Sequence, residues 1–323
     1  MNNISVEEAQ ATLPNENWTV GSLNATTPYV QEAINGTTYY APIPKGFTVA
    51  TGTISTGLVI QDSSANQFVW VPVNESYTMK GDVTGDGTFN NATTAAPWIY
   101  DVPYLSNDTT TALAYWQASA NGYTGTITDV GTYSEPYSSA GSWETAEYQA
   151  MVKSVLKYGG FYVGRYETGG SASAPVVKSG ATPITSIKWN STNTMTVEPT
   201  SGTATYVARN MYPSTSTTYG VASTLIYGIQ WDSIMCWASC YNATTPYTGS
   251  VGSTGSVSTD CYKNIYDLAG NVREWSMEAM DTSYRVSRGD YWYSSHTVSS
   301  RFSYSYPGTP SNHIGFRTAL YVK

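Results

Sequence analysis

The chain has 323 residues, of which 41% are hydrophobic and only 12% are charged, and its net charge is −8. This length allows a single elaborated domain with a substantial core. Lysine and arginine form no cluster, which argues against binding to nucleic-acid phosphates, and no apolar run is long enough to cross a membrane. Polarity comes instead from Ser, Thr, Asn, Gly and 28 Tyr, which favours a loop-rich β protein that works outside the cell or on a virion.

Residues 1–54 form a polar, turn-rich N-terminal arm in which the stretch 39–44 is stiffened by two prolines. The arm predicts an attachment or oligomerisation segment, or a lid on the domain that follows, and it leaves a homo-oligomer open. Its first residues lack the basic and apolar regions of a secretory signal. An extracellular location would then need another route, such as assembly into a phage tail, and a cytoplasmic location is the alternative.

The main domain is predicted over 55–323 and starts with a β-hairpin. Its strands cover 58–60 and 68–73, and a turn at 62–66 joins them. The second strand is apolar on both faces, which indicates a central position in its sheet.

A long polar insertion over 74–142 follows the hairpin. Its stretch 82–88 begins like an EF-hand calcium loop, but the twelfth position of that loop is Thr93 instead of Glu. A turn rich in Gly and Asp is therefore the preferred interpretation of this stretch.

A first helix is predicted over 143–157, because its apolar residues recur at helical spacing. They are Tyr148, Met151, Val152, Val155 and Leu156. The pair Gly159–Gly160 is expected to end this helix in a left-handed cap, and a strand over 161–167 follows.

A second helix is predicted after another Ser/Thr-rich insertion over 168–205. It begins near Ser223 or near Ile229 and ends at Ser239. The two starting points differ in whether the preceding apolar residues join the helix, and both are left open.

The three cysteines are Cys236, Cys240 and Cys261. Their spacing is a poor zinc pattern, and the odd count argues against a disulfide framework. At helical spacing the first two share a face and are expected to pack as small apolar residues. A bond between Cys240 and Cys261 is left open.

The stretch 284–320 has the most unusual composition of the chain. Two framework pieces, Arg285–Gly289 and Ile314–Arg317, enclose residues 290–313, named here the bracketed segment. It holds both histidines of the chain and contains no Lys, Glu, Gln, Met, Leu or Ile. The core-like residues expected to pin it are Val286, Trp292, Ile314 and Phe316. A Tyr- and Ser-rich surface held on a rigid frame is the composition of an antibody paratope.

Most residue types of the bracketed segment can be reached by changing the adenines of an AAC or AAT asparagine codon. Lys, Glu, Gln, Met and Trp cannot be reached in this way, so Trp292 would be an unchanged framework residue. This pattern resembles the variable region of proteins diversified by diversity-generating retroelements. The alternative is an ordinary Ser/Tyr-rich surface loop.

Several motifs occur in a telling order: FVWVP, YGGFYVGRYE, WDSIMCWA, YDLAGNVREW, RVSRGDYW and HIGFRTAL. This series resembles the formylglycine-generating-enzyme (sulfatase-modifying factor) domain, over about residues 55–323. The resemblance implies an α+β, C-type-lectin-like fold with two helices on twisted antiparallel sheets and long loops. Variable proteins of retroelements resemble the same fold and carry their variable residues in the same bracket.

The enzymes of this family use a copper-binding pair of cysteines between the two framework motifs. This chain has no cysteine after Cys261. A thiolate-dependent oxidase needs those sulfurs, so this activity is expected to be absent. An enzyme of this class is kept as one alternative. A calcium-dependent carbohydrate-binding lectin is the other, although Pro307 and Pro310 lack the neighbours of the usual sugar-binding motifs.

The resemblance also implies a structural Ca²⁺ ion in the motif YDLAGNVREW. Its ligands would be Asp267, Gly270, Val272 and Glu274, the middle two through backbone carbonyls. Carboxylate and carbonyl oxygens are the hard ligands that calcium prefers. The alternative is that Glu274 pairs with Arg273 or Arg288 while Asp267 caps a turn.

Four arginines stand close to the bracketed segment: Arg285, Arg288, Arg301 and Arg317. Guanidinium groups suit buried bracing, so these residues are expected to pair with Glu274, Asp290 and backbone carbonyls. Binding of an anion is the less favoured interpretation.

These observations predict a non-enzymatic ligand-binding protein, either a phage receptor-binding protein or a cell-surface adhesin. Its partner would be a protein or glycan receptor on a target cell, bound through rigid Tyr side chains and adaptable polar ones. The predicted contact residues are Asp290, Tyr291, Tyr293, Ser294, Ser295, His296, Ser303, Tyr304, Ser305, Tyr306, Ser311, Asn312 and His313.

Alternation along a strand would place Tyr291 and Tyr293 on one face and Trp292 on the other. By size, Trp292 is expected to point inward. The same alternation places Tyr304 and Tyr306 on one face. One contiguous exposed patch is therefore expected from Tyr291, Tyr293, Ser294, His296, Tyr304, Tyr306, Asn312 and His313.

Overall fold

The computed structural model describes residues 13–34, 36–73, 142–191, 197–240, 243–244, 248–279, 283–293 and 296–323. The insertion predicted over 74–142, with its EF-hand-like stretch, lies outside these ranges except for residue 142. Within the described part, no helix is both long enough and apolar enough to cross a membrane.

A six-stranded antiparallel sheet forms the larger layer. In spatial order its strands are β3 (Phe47–Thr51), β4 (Val59–Asp62), β5 (Gln67–Pro72), β6 (Gly160–Gly164), β16 (Thr318–Val322) and β9 (Val221–Leu225). The predicted hairpin is present as β4 and β5. As predicted, β5 is an interior strand whose two faces are both covered.

The two faces of this sheet support two apolar clusters. Alternate residues of β5 divide between them, with Val69 and Val71 in one cluster and Phe68 and Trp70 in the other. Because side chains of a strand alternate sides, the sheet is buried on both faces. Continuous burial of this kind matches the unbroken apolar run in the sequence.

A second sheet of four strands carries the framework motifs. Its spatial order is β14 (Arg301–Ser305), β13 (Arg285–Arg288), β12 (Arg273–Ala279) and β15 (Ile314–Phe316). β15 runs parallel to β12, and the other neighbours are antiparallel. The remaining strands form two-stranded ribbons: β1 (Tyr29–Ile34) with β2 (Thr37–Pro42), β7 (Gly169–Ser171) with β8 (Ala174–Val176), and β10 (Cys261–Tyr262) with β11 (Ile265–Tyr266).

The first predicted helix is present as α1 (Ser142–Tyr158). Leu156 of its predicted face is partly buried. The other four residues of that face are fully buried: Tyr148, Met151, Val152 and Val155. Gly159 follows with a φ of +80°, as expected of a left-handed cap.

The described chain has three α-helices where two were predicted. The extra one, α2 (Ala204–Met211), lies at the end of the predicted insertion over 168–205. Thr203 caps it, since its side chain accepts a hydrogen bond from the backbone N–H of Tyr206 at 3.4 Å. Eight residues gave too short a periodic pattern to be recognised.

The second predicted helix is α3 (Gly228–Ala238), which starts close to the Ile229 alternative. The Ser223 alternative is wrong, because 221–225 forms the edge strand β9. Ser239 ends the helix in a left-handed conformation with a φ of +53°. The helix buries most of its surface, including Trp231 and Trp237.

The described part of the predicted N-terminal arm packs on the domain. β3 belongs to the six-stranded sheet, and Trp18, Leu23 and Ile43 are buried in one of its apolar clusters. The described residues between 13 and 54 are therefore continuous with the fold that follows. A role in attachment or oligomerisation stays a prediction.

Candidate functional site

The bracketed segment is anchored in the four-stranded sheet. β13 leads into it, β14 lies within it and β15 follows it. Val286, Ile314 and Phe316 at its flanks are buried, as predicted. Buried flanks and an internal strand shorten the free parts of the loop and so reduce the entropy lost when it is ordered. The described residues of the segment are thus folded onto the domain.

A closed cluster of four buried charges ties this sheet to α3. Asp232 accepts hydrogen bonds from Arg288 at 2.6 Å and from Arg301 at 2.9 Å. Glu278 of β12 accepts from the same two arginines at 3.1 and 2.8 Å. All four side chains are buried, and two positive charges meet two negative ones. The cluster therefore fixes β14, which lies inside the bracketed segment, against the interior.

The other two of the four arginines, Arg285 and Arg317, are also paired with carboxylates. Arg285 makes a bidentate pair with Glu144 of α1, with both distances at 3.0 Å. Arg317 pairs with Glu274. Bracing by the four arginines is thus confirmed, although Asp290 is not one of the partners in the described contacts. The sequence could not supply Glu144 as a partner, because it lies far away in the chain.

Two tyrosines of the predicted patch are plainly exposed. Tyr293 is 58% exposed and Tyr306 is 47% exposed, and Asn312 is exposed as well. Four further predicted contact residues are half-buried: Tyr291, His296, Ser311 and His313. The described patch is therefore a mixture of protruding rings and partly covered ones.

Ring contacts connect several members of the patch. Trp292 makes edge-on contacts with Tyr291 and Tyr293, at centroid distances of 5.9 and 5.5 Å. The rings of Tyr291 and His313 lie 4.8 Å apart. Contacts of this kind hold the rings in place before any ligand arrives, which lowers the entropy cost of binding.

Two expectations about the start of the segment are wrong. Asp290 is only 1% exposed, and its carboxylate accepts a hydrogen bond from the backbone N–H of His296 at 2.5 Å, so it supports the loop from inside. Trp292 is half-buried rather than in the core. Residues 290–293 form no strand, because Gly289 with a φ of +71° ends β13, so alternation does not apply.

Five predicted contact residues have no described side chain. Ser294 and Ser295 lie outside the described residues. β14 has a described backbone, but the side chains at its last three positions do not: Ser303, Tyr304 and Ser305. Their part in the patch stays a prediction.

The predicted calcium ligands do not form an open site. Both carboxylate oxygens of Glu274 accept from Arg317 Nε at 3.0 Å, and one also accepts from Nη2 at 2.5 Å. Asp267 accepts from the N–H of Gly255 at 2.6 Å, while its Oδ1 is buried without a hydrogen bond. A carboxylate that a buried guanidinium already neutralises is a poor calcium ligand. The geometry therefore argues against the expected role of Glu274.

A further acidic residue, Glu167, lies in the same buried group. Its carboxylate accepts hydrogen bonds from the N–H of Val272 at 3.0 Å and from the Asn271 side chain at 2.5 Å. Burial, together with the charges of Asp267 and Glu274, raises the pKa of Glu167 well above its usual value. Burial also raises the pKa of Asp267 to about 6 and that of Glu274 to about 7. Among the described residues, no group of three or more His, Cys, Asp or Glu is arranged to hold a metal ion.

The cysteines lie in the described part of the chain, and none is in a disulfide. Cys236 lies on α3 and is partly buried. Cys240 follows the C-cap residue Ser239 and is fully buried. Both agree with the packing role predicted for them. Burial raises the pKa of Cys236 to about 12, so its thiol stays protonated at neutral pH. A protonated thiol is neither a good nucleophile nor a metal ligand.

Comparison with known proteins identifies part of this architecture. Residues 206–322 match the family model of the sulfatase-modifying factor enzyme 1-like domain. This match includes α3 and the whole four-stranded sheet, and it confirms the predicted resemblance over the C-terminal part. Together with the helices and antiparallel sheets described above, it supports the predicted α+β, C-type-lectin-like fold.

A search of curated proteins found no match to the chain. Among solved structures, "Major Tropism Determinant M1 Variant" is similar over 91% of this chain and 72% of its own chain, with 14% sequence identity and a TM-score of 0.30.

Proposed function

We propose that this chain is a non-enzymatic binding protein that presents a Tyr- and Ser-rich surface to a receptor on a target cell. Its bracketed segment would be diversified by a retroelement, and the protein would serve as a phage receptor-binding protein or a cell-surface adhesin. The observation that carries this proposal is the combination of exposed Tyr293 and Tyr306 with a segment braced by the buried charge cluster.

The bracing matters because contact residues of a binding surface gain affinity from being held in place. Rigid Tyr side chains provide large contact area at a low entropy cost. The buried pairs of Arg288 and Arg301 are made with Asp232 and Glu278, which lie outside the bracketed segment, and not with its exposed residues. Exposed positions could therefore change while the sheet beneath them is preserved.

The enzyme alternative of the formylglycine-generating class has less support. The chain has no cysteine after Cys261, so the bracketed segment cannot supply the thiolate pair of that chemistry. The cysteines on and just after α3 pack inside the domain, far along the chain from that position. The carbohydrate-lectin alternative requires calcium, which the pairing of Glu274 with Arg317 does not favour.

A cell-adsorption assay tests the proposed function. Fluorescently labelled protein is applied to a panel of intact bacterial strains, and the Tyr293→Ala and Tyr306→Ala variants are compared on each strain that the wild type binds. Loss of an exposed hot-spot ring is expected to cost about 2 kcal/mol, or about 30-fold in affinity, with little change in melting temperature. Val49→Ala is the control, because Val49 is 41% exposed on β3, in the other sheet.

Unchanged adsorption in both tyrosine variants would refute the proposed surface. So would a large fall in melting temperature with adsorption intact, since the rings would then be structural. Diversification is tested separately by sequencing the flanking DNA. We expect a near-identical copy of the region encoding the bracketed segment, differing only at adenines and lying beside a reverse transcriptase gene.

A further inference from the structure

Arg273 occupies the junction between the framework and the bracketed segment. It is the first residue of β12, and its backbone N–H donates to the carbonyl of His313 at 3.0 Å. Its guanidinium carbon lies 4.5 Å from the ring centroid of Tyr291 and 3.3 Å from that of Phe302. Two aromatic rings of the bracketed segment therefore flank this guanidinium.

Arg273 differs from the four arginines in and beside the bracketed segment in having no carboxylate partner among the described residues. Each of those four forms an ion pair with Glu or Asp, whereas Arg273 forms none among the described residues. Its Nε is buried without a hydrogen bond, and the residue as a whole is half-buried. A guanidinium offers five N–H donors, and the part of the chain that the structure describes provides no hydrogen-bond acceptor for the side chain of Arg273.

The surrounding charges leave this guanidinium cationic. Asp290 lies close enough for its negative charge to favour the cationic form of Arg273, but it forms no ion pair with that residue, because its carboxylate accepts a hydrogen bond from the backbone N–H of His296. His313 is kept neutral near pH 7, because burial and the charge of Arg273 both lower its pKa. Burial lowers the pKa of Arg273 itself to about 10, which still leaves it protonated.

The aromatic contacts also prepare Arg273 for a planar anion. Stacking holds the guanidinium plane in one orientation, so little side-chain entropy remains to be lost on binding. A carboxylate can then accept two parallel hydrogen bonds from one edge of the guanidinium. Partial burial strengthens such a pair relative to one in open water.

We propose that Arg273 is a binding residue of this surface and that it anchors a carboxylate of the ligand, namely an Asp or Glu side chain on a protein receptor. This inference rests on the proposed function. A protein receptor is favoured because Tyr291, Trp292 and Tyr293 present connected rings beside Arg273, which is the composition of a protein-binding paratope. An acidic glycan is the competing source of the same carboxylate.

The test uses benzoate as the probe and benzamide as its neutral control of the same shape. Nuclear magnetic resonance follows the side-chain signals of each arginine during titration of the wild-type protein. We expect benzoate to shift the Arg273 signal with a Kd on the order of 1–10 mM, since about nine non-hydrogen atoms each contribute a few tenths of a kcal/mol. Benzamide should cause less than a tenth of that shift.

Arg209 provides an internal control in the same spectra. It also lies over an aromatic ring, at 4.8 Å from Trp143, but its guanidinium already pairs with Glu147 at 2.6 Å. Its signal should not respond to benzoate. Arg273→Lys retains the charge without the paired donors and should weaken benzoate binding several-fold, and Arg273→Gln should abolish it.

Equal shifts with benzoate and benzamide, or no shift of the Arg273 signal, would overturn the carboxylate assignment. A parallel titration compares glucuronate with glucose. Glucuronate binding at least tenfold tighter than benzoate would overturn the choice of a protein receptor in favour of an acidic glycan. In the cell-adsorption assay, loss with Tyr293→Ala but not with Arg273→Gln would reject the anchor while leaving the proposed surface intact.

Discussion

The buried charge cluster allows a quantitative prediction about stability. Replacing Asp232 with Asn retains the size of the side chain but removes one of two negative charges facing Arg288 and Arg301. Glu278 alone then faces two guanidinium groups in a site with no exposure to solvent. Breaking a buried pair by removing one partner costs about 3–5 kcal/mol, because the remaining charge is buried without compensation. We expect Asp232→Asn to lose stability of this size.

Urea unfolding at pH 7 measures this loss against a matched control. Glu198→Gln removes the acidic partner of a surface pair, since Glu198 lies 3.5 Å from Arg209 and its side chain is 71% exposed. Exposed pairs of this kind contribute about 0–1 kcal/mol. A loss for Asp232→Asn no larger than that of Glu198→Gln would refute the idea that the cluster holds the sheet. Adding Arg301→Met to Asp232→Asn should recover part of the loss, because the charges balance again.

Three further outcomes follow from the buried carboxylates and from one glycine. Burial raises the pKa values of Asp260 and Asp267 to about 7 and about 6, so the folded chain holds more protons than the unfolded chain between about pH 4 and these values. Calorimetry should therefore show the melting temperature rising as the pH is lowered from 8 to 5, and Asp260→Asn should flatten that slope. EDTA should leave the melting temperature unchanged, because the Glu274 carboxylate already pairs with Arg317. A fall of several degrees would instead support calcium as a cofactor. Gly289→Ala should lower the free energy of unfolding by more than about 1 kcal/mol in urea titration. The reason is that the φ of Gly289 is +71° and that an added Cβ would lie 2.6 Å from a backbone carbonyl oxygen. An unchanged free energy of unfolding would contradict the tightness of that turn.

Local signals in the sequence predicted much of the fold. The hairpin at 58–73 and the helix at 143–157 depend on turn residues and on periodic apolar residues within one short window. α2 was not predicted, because its periodic pattern covers only eight residues. Burial of the framework pieces was predictable because Val286 and Phe316 are apolar residues in a polar surrounding.

The candidate site was less predictable, because its bracing depends on residues far apart in the chain. Arginine-rich motifs indicated buried pairing, but nothing local identified Asp232 or Glu144 as the partners. Alternation failed at Tyr291–Tyr293 because Gly289 ends the strand. The glycine itself was the available signal, since Gly often interrupts regular structure. The sequence indicates Arg273 only as a partner of Glu274, and its position between two rings depends on residues far from it in the chain.

The order of the strands determines which diversified variants of this chain could fold. The strand Thr318–Val322 is encoded downstream of the bracketed segment, yet it lies between β6 and β9 inside the large sheet. A frameshift introduced during diversification would scramble this strand, and the chain could not join the two sides of the sheet. Such products would remain unfolded and be degraded. Because of this topology, only variants whose reading frame is intact would accumulate as folded protein.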